Sequence, residues 1–205
     1  MSGGKAVLST GIVIAAWTLS ACSGSSGQAP SSSVAQTSAP VSGQAAPTET
    51  NPPGDIPDNQ AYVAFAPPGG GFTVKIPEGW ASSGAGAATT FTDKLNQVQV
   101  IAVKAATAPT AASVTASDVA SWKGQVPKFA LGAVTMVDRP AGSAVLVTYQ
   151  GDSPPNPVTG KVVRDAFERY VFFHAGTRVD LTVSGPTNAD NVDPWRTVTD
   201  SLRWQ

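Results

Sequence analysis

Downstream of residue 60 the chain alternates apolar and polar side chains over short runs, with two stretches at helical spacing. Tyr62-Val-Ala-Phe65 is a brief apolar run, cut off by Pro67-Pro68-Gly69-Gly70-Gly71. Phe72, Val74 and Ile76 alternate with Thr73 and Lys75, the period of a half-buried strand. Trp80 follows the turn at Glu78-Gly79. Strands are predicted at 88–92 and 97–103, giving an antiparallel meander. Val119, Trp122 and Val126 then recur at three and four. They predict an amphipathic helix over about 116–126, opened by a capping-box-like Thr115-Ala-Ser-Asp118 and stopped by Pro127. Strands return at 133–137 and 143–149, joined by a turn at 138–142. A long strand over 161–174 turns at Ala175-Gly176 into its partner at 177–184, where Val179, Leu181 and Val183 alternate with Arg178, Asp180 and Thr182. Val192, Trp195, Val198 and Leu202 place a last helix near the end, with Asp193 as its N-cap and Pro194 at its first position. Strands with two packing helices read as an α+β domain over 61–205.

The first 60 residues follow different rules. Met1 to Lys5 is short and carries one positive charge, and 6–17 is apolar, with Ile12-Val-Ile-Ala-Ala16 at its centre. That run is too short and interrupted for a spanning helix of about 20 residues, and it reads as an export signal. Ser23 to Gln60 is rich in Ser, Ala, Pro, Gly, Gln and Thr, almost without large apolar groups. Such a composition predicts a disordered tether, one spanning on the order of 30–35 Å. Ser/Thr/Pro richness would also suit O-glycosylation.

Composition narrows the function classes. Charged residues make up 13% of the 205, the formal net charge is −1, and no long basic run occurs, so nucleic acid is not an expected partner. Cys22 is the single cysteine and His174 the single histidine. One of each cannot build a zinc site, and an internal disulfide is ruled out. Asn188, Asp190, Asn191 and Asp193 could offer oxygens to calcium, but they lack the glycine and terminal Glu of an EF-hand loop, and helix capping accounts for them more cheaply. Nothing in the sequence calls for a cofactor.

Two resemblances follow from particular residues. Leu19-Ser20-Ala21-Cys22, closing the export segment, resembles the lipobox of bacterial lipoproteins. The resemblance implies removal of 1–21, a diacylglycerol (palmitate-type) anchor on Cys22, and a place on the outer face of the cytoplasmic membrane. Gly70-Gly71-Phe-Thr-Val-Lys-Ile-Pro-Glu-Gly-Trp80, the hairpin over 161–184 and the Asn191-Val-Asp-Pro-Trp195 start of the last helix resemble PsbP/Mog1-like domains. They are also similar to actinobacterial surface lipoproteins of the LpqN/LpqT kind. That family implies a central antiparallel sheet flanked by helices, and non-enzymatic binding of protein partners (a small GTPase for Mog1, a photosynthetic complex for PsbP). No partner-binding residue of the family maps onto this chain by motif.

Candidate chemistry is sparse. Gly151-Asp152-Ser153 resembles the nucleophile block of GDS-type lipases, and only His174 could serve Ser153 as base. Ser153 falls late, in a proline-rich loop, so the match reads as chance. The same loop, Asp152, Ser153, Pro154, Pro155, Asn156 and Pro157, is the expected contact surface for an envelope protein partner, because prolines stiffen it and loops carry function. A carrier of a small apolar ligand or lipid is the alternative, and it requires an apolar pocket lined by Trp80 or Trp195. Trp80, Trp122, Trp195 and Trp204 otherwise read as core packing. Glu168 with Arg169, and Arg178 with Asp180, are expected as charge pairs on the hairpin's solvent face.

Overall fold

The computed structural model describes residues 52–205. The export segment, the lipobox with Cys22 and the tether as far as Asn51 lie outside the described residues.

A seven-stranded antiparallel sheet forms the centre. Its strands are β3 (Ala81–Ala85), β4 (Ala88–Asp93), β5 (Asn96–Lys104), β6 (Ala130–Arg139), β7 (Gly142–Asp152), β8 (Arg164–His174) and β9 (Thr177–Pro186), in the spatial order β3-β4-β5-β9-β8-β7-β6. Two meanders therefore join at β5 and β9. A small second sheet, β1 (Tyr62–Phe65), β2 (Phe72–Pro77) and β10 (Arg203–Trp204), lies over one face together with α3 (Val192–Thr199). The expected alternation of β2 is present: Phe72, Val74 and Ile76 are buried and Lys75 is exposed. Here they meet Val98, Val100, Tyr170, Phe172, Val179, Leu181, Val183, Val198 and Leu202 in the main core.

The opposite face carries the helix. It runs as α1 (Ala111–Val114), a π turn (Thr115–Val119) and α2 (Ala120–Gln125). Val114 and Val119 bury against Val145, Val147, Tyr149 and Val171 in a second core. A sheet buried on both faces explains why β7 reads as the continuous apolar run Ala144-Val-Leu-Val147.

Several boundaries differ from the pattern's expectations. The helix begins at Ala111, not near 116, because Thr110 and Ser113 form the capping box there. Asp118 caps nothing; the π turn carries it to Arg178, whose Nη2 donates to it at 2.6 Å. β3 was not anticipated, since its small residues Ala81-Ser-Ser-Gly-Ala85 show no alternation. β8 begins at Arg164 rather than 161, where the preceding loop releases the chain. The last helix begins at Val192 with Asn191, not Asp193, at the cap position, and the Asn191 side chain makes no cap bond.

Asn191 serves a different purpose. Its Nδ2 donates to the Gly54 carbonyl (2.9 Å) and to Asn96 Oδ1 (3.0 Å), while its Oδ1 accepts the Ile56 N–H (2.8 Å). Asn96 Nδ2 also donates to Gly54 O, at 2.8 Å. Gly54 and Ile56 are buried, so the folded unit takes in residues that composition assigned to the end of the tether. Gly185 makes room for this knot: a Cβ there would lie 2.3 Å from Asn96 Oδ1.

Candidate functional site

The loop between β7 and β8, residues 153–163, is pinned at both ends. At its start the Asp152 N–H donates to Pro127 O at the end of the helix (2.8 Å). Asp152 is also paired with Lys128 (2.7 Å) and Arg164 (3.2 Å). The hydrogen bond from Lys128, with help from Arg164, holds the Asp152 carboxyl below its ordinary value against the opposing effect of burial. Ser153 N–H donates to Val163 O (2.8 Å), and Val163 N–H returns a bond to Ser153 Oγ (3.0 Å). Farther out, Asn156 Oδ1 accepts the N–H groups of Val158 and Thr159, an Asx turn that Gly160 closes at φ 67°. The loop is a built hairpin, stiffened as its prolines implied and closed by the Asx turn at Asn156.

Beneath it lies a cleft of about 380 Å³. One wall is the loop, through Ser153, Pro154, Asn156, Lys161 and Val163; another is the helix end at Gln125, Val126 and Pro127; the third is the β4–β5 turn around Lys94, Leu95 and Asn96. Asp165, Phe167 and Ser184 line its sheet side. Four of the six loop residues expected to make contact, Asp152, Ser153, Pro154 and Asn156, line this cleft. Pro155 and Pro157 are exposed outside it.

Asp165 is the residue the sequence reading missed. Its Oδ1 is buried and has no hydrogen-bond partner. Burial first, and the nearby Asp152 charge second, push its carboxyl up to about 6. Strand parity could have found it: Asp165 shares a face with Phe167 and Arg169, the face turned to the helix. Phe167 stacks flat on Tyr149 at 4.6 Å, and Tyr149 in turn stacks on Trp122 at 5.9 Å, so the cleft continues into a rigid aromatic row.

Of the two arginines on this face, Arg178 bonds Asp180 through Nε at 2.7 Å as well as Asp118, while Arg169 lies over the Trp122 ring at 4.3 Å with its buried Nε unpartnered. The Arg178–Asp180 pair exists as expected, but Asp180 is buried beneath the helix rather than on a solvent face. Glu168 does not pair with Arg169. The two point to opposite faces, and Glu168 accepts a hydrogen bond from Tyr170 at 2.7 Å.

The Ser153–His174 arrangement is not formed. Ser153 sits by Val163, before the start of β8, whereas His174 ends that strand, roughly 30 Å away at the usual rise per residue. His174 stacks on Trp204, whose indole N–H donates to Ala141 O. Asn191 is committed to the Gly54 knot, where the Asp190 N–H also donates to Asp55. Trp80 packs at the edge of the main core. Trp195 lines a separate hollow of about 400 Å³, but Thr148, Gln150 and Glu168 share its wall, so it is not a closed apolar pocket.

No protein-family model matches the sequence, and neither does any curated protein. Among solved structures the chain is similar to cyanobacterial PsbP from Synechocystis sp. PCC 6803 (TM-score 0.52, 15% identity), over 71% of this chain and 94% of that one. It is also similar to the Ran-binding protein Mog1p of Saccharomyces cerevisiae (TM-score 0.49, 8% identity, 71% and 96% covered). A protein of Bacteroides thetaiotaomicron VPI-5482 is similar as well (TM-score 0.49, 10% identity), over 69% of this chain; the chain spans about half of that protein's length, 48%. At such identities the likeness concerns the fold alone. The described residues form an α+β domain with the PsbP/Mog1-like fold.

Proposed function

We propose that this chain is a lipid-anchored binding module of the cell envelope, and that an envelope protein partner docks in the cleft beneath the 153–163 loop. One observation carries the reading: a hairpin loop braced at both ends shelters a carboxylate, Asp165, that has no donor of its own. A half-buried carboxylate without a donor lowers stability, and side chains left in that condition are commonly ones that meet a ligand. A backbone N–H, a hydroxyl or a cationic side chain from a partner would complete it. Lys94 and Lys161 at the cleft mouth, with Phe167 inside, offer further polar and stacking contacts.

The anchor is the second part of the proposal. Acylation of Cys22 would hold the domain at the outer face of the cytoplasmic membrane, and two acyl chains suffice for stable retention. Cys22→Ala should release the protein from membranes or leave it unprocessed; a processed variant that stays with the membrane contradicts this part.

A photo-crosslinking side chain placed at Val158, which is 89% exposed on the loop, tests the docking site. A second at Ser83, on the outer strand β3 and outside the cleft lining, is the control. The expected result is one discrete protein adduct from 158 that is absent from 83 and lost in Asp165→Asn. Equal labelling from both positions, or an adduct indifferent to Asp165, refutes it.

A further inference from the structure

β6 is an outer strand of the large sheet, and among the described residues nothing pairs with its free edge. Proteins usually guard such edges with charges, prolines or short strands, because the open N–H and C=O groups accept another strand. β6 is ten residues long, and its first eight, Ala130 to Val137, contain no charge and no proline. Leu131 and Met136 are 45% and 54% exposed on it.

These two residues are five apart, a spacing that puts side chains on opposite faces of a regular strand. The register shift at Gly132 changes that. Leu131 lies opposite Tyr149, Val134 opposite Val147 and Met136 opposite Val145, and all three β7 residues point to the helix side. Leu131, Val134 and Met136 therefore form one apolar stripe along the edge, with Val134 midway once the bulged residue is discounted. Gly132 is needed for the bulge to sit close: a Cβ there would lie 2.6 Å from Thr148 Oγ1.

We propose that two copies of this chain pair antiparallel along β6, about a two-fold axis through Val134. In that register Val134 meets Val134 of the second copy, Leu131 meets its Met136, and Thr135 meets its Ala133. A two-fold interface must be complementary to itself, and the stripe is: its large side chains lie at equal steps either side of Val134, and no charge lies between 130 and 137 to repel an identical strand. The other sheet edge, β3, offers only the small exposed residues Ala81–Ala85 and no such stripe.

The test uses the processed full chain. Directly facing residues of antiparallel strands have Cα atoms about 4.5–5.5 Å apart, within the range a disulfide spans. Val134→Cys, oxidised in membranes, should give a covalent dimer on a non-reducing gel; Ser83→Cys and the parent chain, whose single cysteine is Cys22, should not. In sedimentation equilibrium after gentle solubilisation, the parent should be a dimer. Leu131→Lys with Met136→Lys, both at exposed positions that leave the core intact, sets like charges face to face twice and should weaken it roughly 100-fold. A monomeric parent at about 100 µM, no crosslink from Val134→Cys, a crosslink from Ser83→Cys instead, or a dimer unmoved by the paired substitution would each overturn the proposal. No residue of β6 lines the cleft, so these outcomes are read separately from the docking site.

Discussion

Replacing Asp165 with Asn removes a charge that the fold holds without a partner, and the stability change can be worked from the structure. The folded-state carboxyl titrates at about 6, against an ordinary value of 3.8. A difference of about two units corresponds to ~3 kcal/mol between the two protonation states. Asp165 is only half-buried, so solvent screening reduces this to about 1 kcal/mol. The sign follows from proton binding. Between pH 4 and 6 the folded protein holds a proton on Asp165 that the unfolded chain has released, so stability falls as pH rises through that window. Asp152, lowered by Lys128 and Arg164, acts in the opposite sense, and only as pH falls towards its own depressed value. Urea unfolding of parent and Asp165→Asn at intervals from pH 4 to 7.5 reads the Asp165 effect, since that of Asp152 lies below this range. The variant should be about 1 kcal/mol more stable at pH 7, equal to the parent near pH 4, and flatter between. A variant less stable at pH 7, or parent and variant curves that run parallel from pH 4 to 6, would refute the reading of Asp165 as an uncompensated charge.

Three further changes probe how the cleft is supported. Gly185→Ala should cost about 2 kcal/mol in urea unfolding, since the new methyl collides with Asn96 Oδ1; a neutral result would show that the knot can shift. Asn191→Ala removes the acceptor for Ile56 N–H and one of the two donors to Gly54 O, and should cost roughly 2–3 kcal/mol while opening residues 52–58 to limited proteolysis. Asp118→Ala frees the π turn from Arg178, and should cost about 2 kcal/mol and raise amide exchange in 115–125 more than in the sheet.

How much was legible in the sequence depended on which physical signal each part carries. β2 was clear because burial on one face imposes a period of two, as with Phe72, Val74 and Ile76; β9 was clear because its apolar Val179, Leu181 and Val183 alternate with polar residues, although both its faces are buried. β3 escaped because an exposed strand of Ala, Ser and Gly needs no period; only its pairing with β4 makes it a strand. The helix start was misplaced because Thr110–Ser113 and Thr115–Asp118 carry similar local signals, and tertiary charge decided between them when Arg178 drew Asp118 away. The Asx turn of Asn156 emerged from the structure, while the stiffness of the site's loop was legible through its prolines, which restrict the backbone by local chemistry. Asp165 and the β4–β5 turn were not, because their place in the cleft depends on the non-local register of β8 between β7 and β9. The same is true of Asn191: its cap-like context is local, while its true partners, Gly54 and Asn96, are 137 and 95 residues away in sequence.

The claim that the cleft receives a protein partner is tested most directly by native mass spectrometry on the chain, gently solubilised from its own membranes after mild crosslinking. Parent, Asp165→Asn and the edge variant Leu131→Lys with Met136→Lys are compared side by side. The account predicts one envelope protein bound at fixed stoichiometry to the parent and to the edge variant, and lost from Asp165→Asn. The same protein retained in all three, or a small added mass on an otherwise lone chain, would contradict it.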